Sequence, residues 1–330
     1  MREKKGIDLF FYINLFCNDR CDFCFFRKLP PRDNFLKLND VKKVLMQFAE
    51  NDIRGIVLTG GEPTLNPHFR KIIEYIWRAY VKNKKVSGFD LSTNAITSAD
   101  SDFARMIEKY FRPFDRRYQD IKISFSFSSL GDRQRKKIIN TKIEGIKNLM
   151  GADSNIEAVV TITRDNFRHI FKMIKMLVDL YNNKRKMSKY YFKFDFRLPY
   201  FSMMYDLADL HALVVPPKML LRELNRALDF VRQYDIPATL HNIPLCYIKK
   251  RPEYFHAKNP PQGIAVFPDT KEGFVCREKK FSFHKDRSCR ACRFNVRCGG
   301  IEKIYLDEFG YKLFPIQMGA APDGEREEVL

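Results

Sequence analysis

No stretch of about 18 apolar residues occurs anywhere in the chain, so no membrane-spanning helix is expected. The opening Met1-Arg2-Glu3-Lys4-Lys5 is followed by neither an apolar h-region nor a small-residue cleavage site, so it does not read as a signal peptide and a cytoplasmic location is expected. No aromatic-interleaved nucleic-acid motif is present, and basic residues are spread along the chain. The densest basic run is Arg133-Gln134-Arg135-Lys136-Lys137, with Lys184-Arg185-Lys186 and Lys249-Lys250-Arg251 behind it. The net charge of +19 fits a solvated basic surface or an anionic partner equally well: an acidic peptide, a phosphorylated substrate or nucleic acid, the last possible but not favoured.

Hydrophobic content is 45 % over 330 residues, ordinary for a globular chain of α/β-barrel length. The first two thirds alternate strand-like and helix-like segments. Strands are expected at Asp8–Asn14, Ile53–Leu58, Gly88–Thr93, Ile121–Phe127, Ile156–Thr163 and Tyr190–Leu198. Helices are expected from a cap at Asn39 or Asp40 to about Phe48, then at Pro67–Val81, Ser101–Tyr110, Lys137–Met150, Asn166–Tyr181 and Pro217–Tyr234. Six β–α units in series predict parallel strands joined by right-handed crossovers, hence an α/β fold with a partial (β/α)6 TIM-like barrel over residues 1–237. After Pro237 the β–α pattern stops. Residues 238–316 read as a small C-terminal domain held by metal, and 317–330 as a polar, disordered tail.

Eight cysteines fall into two groups. Cys17, Cys21 and Cys24 form C-x3-C-x2-C just after the first strand, at the barrel end where chemistry is placed. Three thiolates so spaced can hold three irons of a [4Fe–4S] cube and leave the fourth iron open. A zinc site would want a fourth ligand nearby, and the next histidine is His68. The second group is Cys246, Cys276, Cys289, Cys292 and Cys298.

The cysteine triplet, Phe23 before its third member, and Gly60-Gly61-Glu62-Pro63 after strand two together resemble the radical S-adenosylmethionine enzymes, over about 230 residues. The resemblance implies S-adenosyl-L-methionine as cofactor, its methionine moiety chelated to the open iron. One-electron cleavage then gives a 5′-deoxyadenosyl radical that abstracts hydrogen from a substrate. A flavodoxin or ferredoxin is the implied reductant. Gly60 and Gly61 can bring backbone close to a ligand, and Glu62 can add charge complementarity. Ser92, Thr93 and Asn94 resemble the family's ribose-contacting position. Ser124 and Ser126 on strand four, and Thr161 on strand five, suit a polar barrel interior or a solvated edge. Arg164 suits either a carboxylate contact or a helix-capping turn. On strand six, Lys193, Asp195 and Arg197 share a face opposite Phe192, Phe194 and Phe196; they either point into the site or form a surface or structural ion pair, the second being favoured.

The block Cys289-x2-Cys292-x5-Cys298, with Cys276 upstream, resembles the SPASM and twitch auxiliary-cluster domains of that family. The full pattern is not met: Glu302 stands where a further cysteine is expected, and no cysteine follows Cys298. One second [4Fe–4S] cluster is the implied count. Its fourth ligand is Cys246 or Cys276, with Cys246 favoured by its Pro244 turn. The spare thiol, Cys276 on that choice, is a buried bystander or a hydrogen-atom donor. A zinc site at the C-x2-C block is the remaining alternative. The resemblance implies a substrate that is a ribosomal peptide or protein side chain, or alternatively a nucleotide, cofactor precursor or tRNA. An iron–sulfur electron carrier or sensor is the non-enzymatic alternative, against which Gly60–Pro63 speaks.

Overall fold

A computed structural model describes residues 6–19, 21–24, 26, 34–111, 119–125, 133–151, 155–185, 191–200, 211–249, 252–258, 263–269, 271–278 and 283–316. Seven strands follow one another in the sheet in chain order: β1 (Ile7–Asn14), β2 (Ile53–Gly60), β3 (Gly88–Thr93), β4 (Gln119–Phe125), β5 (Asn155–Thr161), β6 (Phe192–Arg197) and β7 (Ala238–His241), all parallel. Between them run α1 (Leu38–Gln47), α2 (Phe69–Ile76), α3 (Ser101–Phe111), α4 (Arg133–Gly151), α5 (Ile170–Arg185) and α6 (Pro217–Gln233). The sheet is open, with β10 (Gly273–Glu278) at one edge and β8 (His256–Lys258) at the other, so the barrel is partial.

Strand alternation decides which face the helices cover. Leu9, Phe11 and Ile13 of β1, Leu91 of β3 and Phe192, Phe194 and Phe196 of β6 are buried in the apolar core. Phe192 stacks on Tyr181 of α5 at 5.0 Å, and Phe89 on Phe111 of α3 at 4.8 Å, so this face lies under the helices. The intervening residues therefore line the concave face. Across β5, β6 and β7, the register aligns Thr161, Arg197 and His241 there, with Asp195 one pleat below.

Four local expectations are corrected. Helix α1 is capped by Lys37; Asp40 sits at its third position, where its carboxylate accepts the Lys37 N–H at 2.8 Å. Helix α2 starts at Phe69, two residues after Pro67, and ends in a π-helical turn at Trp77–Val81. A 3₁₀ turn at Phe167–His169 precedes α5. Most consequentially, the sheet continues past Pro237. Beyond β7 it adds β8 (His256–Lys258), parallel to β7, while β9 (Ile264–Asp269) crosses to pair in parallel with β1, and β10 (Gly273–Glu278) follows antiparallel. Short, proline-flanked strands placed by long-range pairing carry too little periodicity to be read locally.

The C-terminal segment then docks on the carboxyl ends of β6 and β7. Asn242 Nδ2 donates to Pro199 O (3.0 Å) and Glu302 Oε2 (3.3 Å), the Glu302 N–H donates to Asn242 Oδ1 (2.7 Å), and Tyr305 donates its hydroxyl to Pro199 O (2.9 Å). Glu302, in the place of an expected cysteine, is thus a buried docking residue. Among the described residues no helix is long and apolar enough to cross a membrane. Ser126 and the tail 317–330 lie outside the described residues.

Candidate active site

The cysteine loop leaves the end of β1 and is clamped by the turn that ends β2. Gly61 N–H donates to Asn14 O (3.0 Å) and Glu62 N–H to Phe16 O (2.8 Å), the residue before Cys17. The two backbones touch so closely that a Cβ on Gly60 would lie 2.2 Å from Asn14 O, and one on Gly61 2.1 Å from Phe16 O. Gly60 also has φ +141, which only glycine adopts without strain. The close approach that glycine permits here is to the cysteine loop itself. Pro63 opens a buried 3₁₀ turn, Pro63–Leu65.

Glu62 is corrected in role. It is fully buried, and its carboxylate accepts four hydrogen bonds from the protein: Thr64 N (3.2 Å), Thr64 Oγ1 (2.7 Å), Thr93 Oγ1 (2.8 Å) and Asn94 N (2.7 Å). Burial raises its carboxyl above the usual range, and these donors pull it back in part. It therefore ties the end of β2 to the end of β3. Thr93 is turned to the same bracket.

Asn94 reaches further than its expected ribose role. Its Nδ2 lies 2.8 Å from Asn18 Oδ1 and 3.5 Å from Cys17 Sγ, within the wider reach of a sulfur acceptor. Asp19 N–H also donates to Cys17 Sγ (3.4 Å), Cys21 donates its S–H to Asp19 Oδ2 (3.1 Å), and Cys24 N–H bonds to Cys21 O (3.0 Å). Burial pushes the Cys17 thiol up to about 12 and the Cys21 thiol well above its ordinary value, so both are protonated without a metal. Metal ligation removes those protons. Donors already aimed at Cys17 sulfur, in a loop clamped where it leaves β1, fit a thiolate-ligated cluster. Phe23 lies half-buried in the turn before Cys24.

Of the remaining expected contacts, Ser92 and Thr161 fall on the concave face. Ser124 lies in β4 opposite Val159. Arg164 is held by backbone: its N–H donates to Leu213 O (2.9 Å) and its Nε to Val214 O (3.2 Å), while Asn166 closes the turn onto Thr161 O and Thr163 N.

The concave face also holds a charged group, and of the two placements open from the sequence the structure has the structural ion pairs, on the inward side. Lys193 pairs with Glu157 (2.9 Å), Arg197 with Asp195, and His241 Nε2 lies 3.6 Å from Asp195 Oδ1. Asp195 is 1 % exposed, and burial lifts its carboxyl to about 6 against the pull of Arg197. Charges on alternate residues of β6 are a lining of the barrel, not its outer surface, because the phenylalanines face the helices. The strictly apolar opposite face was the signal. Tyr12 and Phe267 stack at 4.4 Å on the same side of the sheet, nearer β1.

The second cysteine group divides. Cys246, Cys289, Cys292 and Cys298 line one void of about 340 Å³, its open side included, with Lys285 and Phe294. Phe314 N–H donates to Cys246 Sγ and Ile316 N–H to Cys292 Sγ, each at 3.4 Å. Burial raises the Cys246 thiol to about 12. Among the described residues no three His, Cys, Asp or Glu side chains are placed to hold a metal ion as they stand. A single zinc ion needs its sulfurs to meet about 2.3 Å from one point; a cluster with a body of its own needs them spread around a space, as here. Cys276 stands apart on β10. It pairs with Val266, which pairs with Phe11, so the register puts it on the helix-covered side, away from the concave face. That placement speaks against Cys276 as a hydrogen donor on the concave face, and Cys276 is not among the residues lining the void.

Comparison with known proteins agrees with this geometry. A probable GTP 3′,8-cyclase of Methanococcus maripaludis is 28 % identical over 153 residues, covering 46 % of each chain. The GTP 3′,8-cyclase of Pasteurella multocida is 35 % identical over 86 residues, 25 % of this chain and 24 % of that protein. The chain thus matches about half the length of such curated relatives, or less. Among solved structures, Streptococcus suis SuiB bound to S-adenosylmethionine aligns at TM-score 0.51 and 16 % identity over 71 % of this chain and 50 % of that one. Native anSMEcpe with bound AdoMet aligns at TM-score 0.51 and 17 % identity over 71 % and 63 %. At these identities the likeness shows the partial-barrel fold. The Radical SAM superfamily matches residues 11–178, half of the chain and the whole run from β1 into α5, and the protein belongs to that superfamily as a radical S-adenosylmethionine enzyme.

Proposed function

We propose that Cys17, Cys21 and Cys24 hold the radical-generating [4Fe–4S] cluster, that Cys246, Cys289, Cys292 and Cys298 hold a second one in a SPASM- or twitch-like setting, and that the substrate binds on the concave face between them. When bound, the first cluster with S-adenosyl-L-methionine supplies a reductively generated radical that takes hydrogen from the substrate. The chain's own contribution is positional. The Gly60–Glu62 turn and Asn94 fix the loop, the sheet walls off water, and Asp195, Arg197, His241 and Thr161 present paired charge and hydrogen-bonding groups to a polar substrate.

The observation that carries this reading is the clamp of the Gly60–Glu62 turn on the residues flanking Cys17. A peptide or protein side chain is our first substrate reading, because auxiliary-cluster domains of this kind accompany peptide chemistry. A nucleotide is the second, favoured by the GTP 3′,8-cyclase names of the curated relatives and by the net charge of +19. Anaerobically reconstituted protein, reduced with dithionite, should release 5′-deoxyadenosine from S-adenosylmethionine; its absence in a sample with full iron content refutes the radical assignment. Stimulation of that release by GTP, and not by peptides, moves the substrate to the second reading.

A further inference from the structure

Lys142 of α4 has an environment that helix packing alone does not require. Neighbouring Lys136 and Lys137 are exposed, whereas the Lys142 side chain is 2 % exposed. Sinking an ammonium into a protein interior costs several kcal/mol unless a partner compensates it. Here the partner is Asp19, whose carboxylate pairs with the Lys142 ammonium. Asp19 sits between two cysteines of the loop, its N–H on Cys17 Sγ and its carboxylate receiving the Cys21 S–H.

The helix that delivers Lys142 is anchored to the same loop from the other side. Gly145 lies against Ala95 O so closely that a Cβ would approach to 1.9 Å. Asn148 Nδ2 donates to Ser98 O and Ala99 O, each at 3.0 Å. Helix α4 and the 94–99 turn are therefore one block, and that block also touches Cys17 through Asn94.

Asp19 Oδ2 lies 3.1 Å from Cys21 Sγ and pairs with the Lys142 ammonium, so a buried cation and a buried carboxylate stand next to the cysteine loop. In a dry site, fixed charges so placed act strongly on whatever the loop holds. We infer that Lys142, acting through Asp19, is a positioning residue of the iron–sulfur site: it holds the Cys17–Cys21 loop and sets one buried positive charge beside the ligand sulfurs, making the cluster easier to reduce. This rests on the proposed ligation by Cys17, Cys21 and Cys24.

The test compares Lys142→Met, Lys142→Arg, Asp19→Asn and the Lys142→Met/Asp19→Asn double variant in the full chain, reconstituted anaerobically. Iron and acid-labile sulfide are counted. The reduced-cluster EPR signal that changes on adding S-adenosylmethionine is titrated against potential with dithionite. At the potential that half-reduces the unaltered protein, Lys142→Met should show about tenfold less reduced relative to oxidised cluster, a displacement of about 59 mV for one electron. Asp19→Asn should move the other way, the double variant should return toward the starting value, and Lys142→Arg should stay near it. A merely structural role shifts both single variants in one direction. Shifts of one sign, or none, overturn the inference. Should Lys142→Met fail to load iron, the opposite shift of Asp19→Asn with an unmoved Lys142→Arg still decides. An unaltered protein that binds no iron at all defeats the ligation reading, and this inference with it.

Discussion

Replacing Glu62 by Gln separates two roles that the same residue has been given. The shape is kept and the charge removed. The amide oxygen can retain the Thr64 and Thr93 donors, but the amide nitrogen then faces the Asn94 N–H, donor against donor, where a 2.7 Å bond existed. Losing a hydrogen bond to a buried charged group costs about 1.5–3 kcal/mol. Relief of the buried charge offsets part of that. A net destabilisation of about 2 kcal/mol follows, about 4 °C in melting temperature for a chain of this size. The sign of the pH dependence is fixed by the raised carboxyl. A folded-state value above the unfolded one adds stability that is full below the ordinary glutamate range and is lost as pH rises through the folded value. The gap between the unaltered protein and Glu62→Gln should therefore narrow with rising pH. The assay is scanning fluorimetry of the metal-free protein across pH 5–8, beside iron counts after reconstitution. An unchanged melting temperature with weakened S-adenosylmethionine binding refutes the bracket and restores the ligand-contact role.

Three further outcomes are expected. Gly61→Ala drives a methyl group into Phe16 O, so it should cost about 1–3 kcal/mol by overpacking and strip iron from the N-terminal site; full iron with an unchanged melting temperature would contradict the clamp. Cys246→Ala should lower iron and sulfide after reconstitution, whereas Cys276→Ala should leave both unchanged; the reverse pattern would reassign the fourth ligand. Burial lifts Asp195 to about 6, so its contribution to stability is full below about 3.8 and lost as pH rises through about 6; urea melts should show that decline, and Asp195→Asn should flatten it.

What the sequence made legible was set by local chemistry. The cysteine spacing, the Gly60-Gly61-Glu62-Pro63 turn and the order of strand and helix could be read because each is written in neighbouring residues. Strands β8 and β9 could not, because a three-residue or proline-bearing strand acquires its identity only from the edge it pairs with. Glu62 looked like a ligand because a lone carboxylate beside two glycines carries no trace of the four donors that fold around it. Lys193, Asp195 and Arg197 were legible as an ion-paired group but not as surface or lining, although the apolar run of Phe192, Phe194 and Phe196 on the other side located the helices. Cys246 and Cys276 were inseparable by spacing, and only the register of β10 against β9 divided them.

The pairing of β9 with β1 has a consequence for the order in which the molecule can be made. Strand β1 feeds the cysteine loop, yet one of its edges stays bare until residues 264–269 have been synthesised and have crossed the sheet to reach it. A nascent or truncated chain ending near residue 237 would carry that edge exposed, an invitation to pair with other chains. The strand that leads into the first cysteines is thus completed by a segment made after all seven central strands, so early and late parts of the chain must meet before that edge of the sheet is closed.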